Sequence, residues 1–568
     1  MRYTFFFLVF LLIFSCKNDK QTTTETPTET QKIEIDNTEV EVSSDDDDLE
    51  AISAKDFREF LVLDSKVITK AELWADVSPQ MEDFSDADYS RIAPMVLEQD
   101  IPTIQSNITD GKFSYEELTK FYLYRIRKYD RENDLSLNSV ISVNPNVIKE
   151  ARARDKALAF NEGADVDSLA YTVYGMPILL KDNINTEDLP TTAGALALKD
   201  NKTEDAFIVN QLRSKGALIL GKANLSEWAY FFCGECPSGY SAIGGQTLNP
   251  YGRRTIDTGG SSSGSGVSAA ANFAAATIGS ETSGSILSPA SQNSVVGLKP
   301  TIGLVSRSGI VPISSTLDTA GPITRTVIDN AIVLDAIFGE DTTDSKAFMV
   351  IWESGFYTKK IKMASLEGKR FGAPKRFLED SLFVNALEVL KQQGAEIVEI
   401  EDERVSLPNF INLLNLDMRK DLPLYMENYA DKTIELRTVA DVMAFNEADS
   451  ALAMPYGQAL FKGIVDDKGD DTFLERIKDT LKTNGKLYFD TPFDAQKIDG
   501  FLSINNYHAG QAAVAEYPAL TVPMGYTKEG IPKGLTFIGR RLQEKQLLEW
   551  AYVYEQASKM RVPPKGYN

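Results

Sequence analysis

The chain has 568 residues, of which 43% are hydrophobic and 25% are charged. This composition is typical of a folded protein with a large core. Acidic side chains outnumber basic ones by 82 to 59, which gives a formal net charge of −23. Such an excess of negative charge argues against a protein that binds the phosphates of nucleic acid.

The N-terminus predicts export and a lipid anchor. Arg2 is followed by the apolar run YTFFFLVFLLIF, which is too short to span a bilayer as a helix. The run ends in IFSC, which resembles the lipobox of bacterial lipoproteins. That resemblance implies that residues 1–15 are a lipoprotein signal peptide and that Cys16 is lipidated. The protein would then be tethered to the bacterial cell envelope through this lipid only. The alternative is an ordinary signal peptide in which Cys16 has no role.

The next segment predicts a tether, and the rest of the chain predicts one domain. Residues 16–50 are acidic, rich in Thr and Glu and almost free of aromatic side chains, so they lack the apolar surface needed to fold. From about residue 110 to 560, helix patterns alternate with strand patterns and no linker-like stretch interrupts them. We therefore expect residues 51–568 to form a single large α/β domain.

Individual segments predict particular elements in chain order. SYEELTKFYLYRIRKYDREN has apolar residues at helical spacing, and its Ser114 and Glu117 are placed as a capping box. SVISVNP then predicts a strand, and VIKEARARDKALAFNEG predicts a helix that ends at a glycine.

The middle of the chain continues this alternation. GMPILLKDNI predicts a short buried strand followed by a polar turn. VNQLRSKGALILGKANL and FVNALEVLKQQGAEIVEIE each have the order helix, glycine, strand. AAANFAAATIGSETSGS predicts a closely packed helix of small residues, then a short strand and a glycine turn. The segment EKQLLEWAYVYEQASK predicts a helix near the end of the chain.

The glycine- and serine-rich stretch DTGGSSSGSGVSAAA, residues 257–271, has the composition of a flexible linker. It does not fit a phosphate-binding P-loop, because Gly266 is followed by Val267 and not by Lys-Ser or Lys-Thr. A dinucleotide fingerprint through Gly264 would have to follow a buried strand, and the preceding YGRRTIDT is not one. Both phosphate-binding interpretations are therefore disfavoured.

Two nucleophile arrangements remain open for this stretch. Gly260-Ser261-Ser262-Ser263-Gly264 matches the G-x-S-x-G elbow of α/β-hydrolases, in which Ser262 would attack and His508 would be the base. Alternatively, a neutral buried lysine can activate a serine, because burial penalises the ammonium form. Lys181 follows the apolar run GMPILL and fits that description, and the turn GSETSGSILSP offers consecutive N–H groups for an oxyanion.

Four ordered motifs then carry a family resemblance: GMPILLKDNI, GGSSSGSG, GSETSGSILSPA and VVGLKPTIGLVSRSGIVPISSTLDTAGP. Together they resemble the amidase signature family, with the closest likeness to its peptide-amidase-like branch. The likeness covers about residues 85–560, and its signature core covers about 170–330. The resemblance implies one large α/β domain with a mixed central β-sheet covered by helices.

Matching positions then imply a Ser-Ser-Lys triad. Lys181 matches the family's lysine, Ser261 matches its bridging serine, and Ser285 matches its nucleophile, 24 residues after Ser261. The resemblance also implies a cis peptide bond at the bridging serine. The backbone N–H groups of Thr282, Ser283, Gly284 and Ser285 would form the oxyanion hole. No metal and no cofactor is implied.

The sequence therefore predicts a lipid-anchored amidase that hydrolyses small-molecule or peptide C-terminal amides through an acyl-enzyme on Ser285. Two alternatives stay open, a Ser-His-Asp hydrolase that uses Ser262 and His508, and a catalytically silent surface-tethered binding protein. The CGEC motif, with Cys233 and Cys236, predicts either a local disulfide or two buried thiols. A zinc site there lacks further ligands, because the chain has one His and no other Cys after Cys16.

Overall fold

The structure is a computed structural model that describes residues 60–160, 169–350, 352–401 and 405–567. All described residues belong to one compact unit. The predicted signal peptide, Cys16 and the acidic segment 16–50 lie outside the described residues. Within the described ranges, no helix combines the length and the apolar character needed to cross a bilayer.

Within the part of the chain that the structure describes, eleven strands form one large sheet and two further strands form a separate ribbon. The strands of the large sheet are β1 (Val140–Val143), β2 (Pro177–Lys181), β3 (Leu218–Ala223), β6 (Ala276–Glu281), β7 (Val296–Lys299), β8 (Thr319–Thr324), β9 (Arg370–Pro374), β10 (Glu396–Ile400), β11 (Gly500–Ile504), β12 (Ala519–Tyr526) and β13 (Pro532–Ile538). The ribbon pairs β4 (Tyr240–Ser241) with β5 (Gly245–Gln246).

The large sheet is mixed, with the order β1-β3-β2-β6-β8-β7-β12-β13-β11-β9-β10. Its parallel pairs are β3 with β2, β2 with β6, β11 with β9, and β9 with β10. The other neighbours are antiparallel. Because β2, β3 and β6 run in parallel, their carboxyl ends lie at the same edge of the sheet. The predicted mixed sheet in a single α/β domain is confirmed.

Helices flank this sheet. They are α1 (Lys70–Trp74), α2 (Asp86–Val96), α3 (Ile101–Thr109), α4 (Tyr115–Tyr129), α5 (Val147–Phe160), α6 (Phe207–Ser214), α7 (Ser263–Ala270), α8 (Leu287–Gln292), α9 (Val327–Ile337), α10 (Ser381–Gln392), α11 (Phe410–Asn428), α12 (Val439–Ala448), α13 (Ser450–Ala453), α14 (Ala459–Asp466), α15 (Asp471–Ala495), α16 (Ala509–Val514) and α17 (Glu544–Ser558). Short 3₁₀ turns lie at Ser78–Met81, Leu196–Leu198, Glu227–Tyr230, Ile361–Met363 and Lys375–Phe377.

Local sequence signals explain several of these boundaries. Before α4, Ser114 Oγ accepts from Glu117 N at 3.1 Å, and the Glu117 carboxylate accepts from Ser114 N at 2.9 Å. This reciprocal pair satisfies two N–H groups that a helix start leaves unpaired, so the predicted capping box is confirmed. Strand β2 is buried along its whole length, as its continuous apolar sequence predicts.

The glycine- and serine-rich stretch is a buried helix start and not a linker. Helix α7 begins at Ser263, and every residue in it is buried. A Cβ at Gly264 would lie 2.4 Å from the Asn224 carbonyl oxygen, and one at Gly266 would lie 2.8 Å from the Pro289 carbonyl oxygen. These glycines therefore allow two backbone segments to approach α7 closely.

The prediction of a helix in the alanine-rich run is wrong in its position. Helix α7 ends at Ala270, and Asn272 has a left-handed φ of 56°. Four carbonyls within residues 271–275 accept instead from the buried guanidinium groups of Arg125 and Arg325. These tertiary hydrogen bonds replace the bonds that a continued helix would supply, and they override the helical preference of alanine.

Residues 61–65 form hydrogen bonds to two segments that lie far away in the sequence. Tyr456 Oη accepts from Leu61 N at 2.9 Å, and the Leu63 carbonyl accepts from Gln246 N at 2.8 Å. Ser65 Oγ donates to the Ile243 carbonyl at 2.6 Å. The described chain therefore joins the folded body ahead of α1, its first described helix.

Candidate active site

Lys181 is the last residue of β2 and lies fully buried at the carboxyl edge of the sheet. Its Nζ lies 2.7 Å from Ser261 Oγ, 2.9 Å from Ser280 Oγ and 3.1 Å from the Ser280 carbonyl oxygen. Ser280 is near the end of β6, which pairs in parallel with β2. The sheet register thus places a lysine and two serine hydroxyls in one buried cluster.

Burial lowers the pKa of Lys181 from its ordinary value of 10.5 to about 7, against the opposing charges of Asp318 and Glu281. The ammonium form is disfavoured because it has left water. A neutral lysine has two N–H donors and one lone pair, and the three contacts fit this count. Nζ can donate to the two oxygens of Ser280 and accept from the Ser261 hydroxyl.

Ser261 is fully buried, and the peptide bond that precedes it, Gly260–Ser261, is cis, as the resemblance implies. Its carbonyl oxygen accepts from Ser226 N at 3.0 Å. Gly259 has a φ of 62°, and a Cβ at that position would lie 2.7 Å from Pro289 N. A glycine at position 259 is therefore required by close packing and by a left-handed backbone.

Ser285 lies in the turn that follows β6 and is partly exposed. Its carbonyl oxygen accepts from Ser262 N at 3.2 Å, so the turn is joined directly to the segment that carries Ser261. No hydrogen bond links the described hydroxyls of Ser261 and Ser285 to each other. The structure therefore brings Lys181 and Ser261 into direct contact, and a backbone hydrogen bond joins Ser285 to the residue that follows Ser261.

The carboxylate of Glu281, the last residue of β6, binds backbone N–H groups at the far end of the turn that follows β6. Its Oε2 accepts from Ile286 N at 2.7 Å and from Leu287 N at 3.0 Å. Gly284 has a φ of 86°, which lets the turn reverse before α8.

The backbone N–H groups of this turn have no carbonyl partners in the described part of the chain, and that of Gly284 is hydrogen-bonded to the Glu281 carboxylate. Within the described residues, no backbone carbonyl accepts from the N–H groups of Thr282, Ser283, Gly284 or Ser285. Backbone N–H groups in such a turn can stabilise a developing oxyanion.

Three residues of the cluster were not predicted from the sequence. Ser280 binds Lys181, and Asn183 Nδ2 donates to Ser280 Oγ at 2.9 Å. Asp318 Oδ1 accepts from Thr282 Oγ1 at 2.5 Å. Each lies inside one of the four motifs that carry the family resemblance: Asn183 in GMPILLKDNI, Ser280 in GSETSGSILSPA and Asp318 in the fourth motif. Membership of these motifs is the signal that the sequence offered for them.

The structure does not bring the residues of the Ser-His alternative together. Ser262 Oγ is buried and donates to the Ser280 carbonyl at 3.0 Å. His508 Nε2 lies 2.8 Å from Arg376 Nη2, and its Nδ1 lies 2.6 Å from Ser503 Oγ. Because arginine can only donate, Nε2 must accept and Nδ1 must carry the hydrogen. Neither ring nitrogen of His508 therefore acts as a base for Ser262. Ser262, in the G-x-S-x-G match, has a structural role.

Cys233 and Cys236 are joined in a disulfide, and both are buried. This resolves the two alternatives that the CGEC motif left open. Tyr230 Oη donates to the Cys236 carbonyl at 2.8 Å, and Ala229 lines the same small cavity as Thr282 and Asp318. The disulfide loop therefore adjoins the segment that borders the candidate site.

Comparison with known proteins establishes the class. The family model described as Amidase matches residues 117–453, which is more than half of the chain. The protein belongs to this family and is a hydrolytic amidase. Among curated proteins, a probable amidase of Arabidopsis thaliana is 36% identical over 489 residues, which cover 83% of this chain and 92% of that protein.

Solved structures show the same relationship. An amidase family protein from Bacillus anthracis superposes with a TM-score of 0.83 at 36% identity, covering 89% of this chain and 100% of the other. The native peptide amidase from Stenotrophomonas maltophilia superposes with a TM-score of 0.75 at 38% identity, covering 82% and 98%. The predicted family and fold are thus confirmed.

Proposed function

We propose that the protein hydrolyses carboxylic amides, with peptide C-terminal amides as the substrate class, through a Ser285–Ser261–Lys181 triad. One observation carries the proposal: a fully buried lysine lies 2.7 Å from the hydroxyl of Ser261. Burial without a carboxylate in hydrogen-bonding contact makes that lysine a base near neutral pH.

The reaction starts with two coupled proton transfers. Ser285 gives its hydroxyl proton to Ser261 Oγ while Ser261 gives its own proton to Lys181 Nζ. Ser285 Oγ attacks the amide carbonyl carbon, and the negative charge collects on the carbonyl oxygen. The N–H groups of residues 282–285 would stabilise that charge.

The second half of the cycle returns the proton. Lys181 gives its proton back through Ser261 to the amide nitrogen as the C–N bond breaks, and ammonia leaves. A water molecule then attacks the acyl-enzyme, loses a proton along the same route, and releases the acid and Ser285. No step requires a metal or a cofactor.

The substrate class is supported by similarity to the peptide amidase from Stenotrophomonas maltophilia, at 38% identity over most of both chains. The sequence following the nucleophile supports the same branch. Many family members have Ile-Arg after the nucleophilic serine, whereas this chain has Ile286-Leu287, and peptide-amidase-like members also lack that arginine. Leu287 is buried within an apolar cluster, so no cation replaces that arginine at the same position.

Chemical labelling tests the proposal most directly. A fluorophosphonate reagent should form an adduct on Ser285, mapped by mass spectrometry after proteolysis. Ser285→Ala and Lys181→Ala should lose both the label and the release of ammonia from a peptide amide. An adduct on Ser262 would contradict the triad. If the wild-type protein took up no label and hydrolysed no amide, the alternative of a surface-tethered binding protein would be favoured.

We also propose that residues 1–15 are removed as a signal peptide, that residues 16–50 form a tether, and that Cys16 carries a lipid anchoring the exported enzyme to the cell envelope. The lipobox-like IFSC supports this. Expressed in a bacterium, the full chain should fractionate with membranes and incorporate a labelled fatty acid, and Cys16→Ser should do neither. Equal membrane association of the two proteins would contradict the anchor.

A further inference from the structure

Asp318 lies immediately before β8 and connects two segments of the candidate site. Its Oδ1 accepts from Thr282 Oγ1 at 2.5 Å, and its Oδ2 accepts from Ile313 N at 2.8 Å and from Ser314 N at 2.9 Å. One carboxylate therefore ties the first residue of the proposed oxyanion turn to the loop before β8. Both of its oxygens are occupied by protein donors.

Asp318 also lies close to the proposed base. A small cavity of about 10 Å³ is lined by Ser280, Thr282 and Asp318, and Ser280 is the residue whose two oxygens contact Lys181 Nζ. A space of this size holds about one water molecule and no part of an amide substrate larger than that. Asp318 thus borders the same small cavity as Ser280, the residue that binds the lysine.

Several charged groups surround this pair. Lys181 faces Asp318 and Glu281, whose negative charges oppose the fall of its pKa. The charge of Glu281 is balanced by Lys299 and by the N–H groups at the start of α8. Burial raises the pKa of Asp318, whereas Arg307 and the hydrogen bonds to its two oxygens favour the ionised form. Asp421, on α11, adds a further acidic group near Asp318.

We propose that Asp318 is a positioning residue of this centre, which fixes the Thr282 end of the oxyanion turn and presents a negative charge to Lys181. The inference rests on the proposed function. Asp318 forms and breaks no bond. During attack by Ser285, Lys181 becomes a buried ammonium ion, and a fixed carboxylate nearby stabilises that ion while the turn stabilises the oxyanion.

The test compares pH profiles of kcat/KM for the wild type, Asp318→Asn and Thr282→Val. Asp318→Asn removes a negative charge near Lys181, so the lysine should become neutral at lower pH. We expect the acid limb of the profile to move down by about half a pH unit or more, with a roughly tenfold or larger loss of kcat. Thr282→Val removes only the hydrogen bond to the turn, so kcat should fall while the limb stays in place.

Control variants separate this role from a general loss of structure. Asp318→Glu keeps the charge and should keep the wild-type limb, and Thr282→Ser keeps the hydroxyl and should restore kcat. Should Asp318→Asn fail to fold, as seen by circular dichroism, the Thr282→Val and Thr282→Ser pair still decides the positioning of the turn. Wild-type kcat in Thr282→Val, or an unmoved limb in folded Asp318→Asn, would overturn the inference. Absence of any Lys181-dependent limb in the wild type would instead overturn the proposed function.

Discussion

The activity of this amidase should follow the deprotonation of Lys181. With its pKa lowered to about 7, the lysine is neutral in about a tenth of the molecules at pH 6, about half at pH 7 and about nine tenths at pH 8. kcat/KM should therefore rise about fivefold from pH 6 to 7, about twofold from pH 7 to 8, and then level off. A lysine with the ordinary pKa of 10.5 would instead give activity that rises about tenfold per pH unit up to about pH 9 and continues to rise above it.

The pKa of Lys181 is lowered because of the groups that surround its Nζ. Burial removes water from the ammonium ion, and the three contacts of Nζ are neutral oxygens of Ser261 and Ser280. The carboxylates of Asp318 and Glu281 act only through space, because neither contacts Nζ within hydrogen-bonding distance. Desolvation therefore outweighs attraction, and the neutral base predominates above pH 7.

The assay is the initial rate of ammonia release from a peptide amide, measured from pH 5.5 to 9.5 at constant ionic strength and at substrate concentrations below KM. Lys181→Arg is the matched control, because arginine keeps the positive charge and does not lose its proton in this range. It should be inactive at every pH. The same limb in Lys181→Arg, or a wild-type limb that still rises steeply above pH 9, would refute Lys181 as the base.

Three further outcomes follow from the packing around the site. Gly264→Ala should destabilise the protein by about 2 kcal/mol or more, since its Cβ would meet backbone atoms of Asn224. Gly463→Ala, in α14, would bring a Cβ no closer than 3.9 Å to the Asn415 side chain, so the melting temperature should stay equal or rise. Lys181→Met should raise the melting temperature at pH 7, because between about pH 7 and 10.5 the unfolded chain holds a proton that the folded one has lost. That gain should shrink towards pH 10, and a constant difference would contradict it. Cys233→Ser with Cys236→Ser should lower thermal stability, and reductant should lower it in the wild type but not in the double variant.

Much of the fold could be predicted because its signals are local. The capping box at Ser114 and the uninterrupted apolar run of β2 depend on neighbours within a few residues, and both are confirmed. The alanine-rich run was misplaced because its conformation is set by Arg125 and Arg325, which lie far away in sequence. No local pattern reports that pairing.

The candidate site also contains residues that the sequence could predict and residues that it could not. Lys181, Ser261 and Ser285 could be selected because each lies in a motif, and the structure gathers their segments at one edge of the sheet. Ser280 and Asp318 also lie in quoted motifs but match none of the three triad positions, and a serine within a strand and an aspartate before one are common in any α/β protein. Their significance depends on sheet register, which places β6 between β2 and β8. The G-x-S-x-G match suggested Ser262 as an alternative nucleophile, which the structure does not support. Composition alone does not distinguish three adjacent serines.

The hydrogen bonds of residues 61–65 determine where the chain can be cut to produce an enzyme without its N-terminal region. Removing all residues before α1, which begins at Lys70, would delete the hydrogen bonds to Tyr456, Gln246 and Ile243. These bonds hold the ribbon β4–β5 and the segment before α14, both of which adjoin the disulfide loop. A truncated enzyme should therefore begin at or before Phe60, so that the cut falls ahead of these hydrogen bonds.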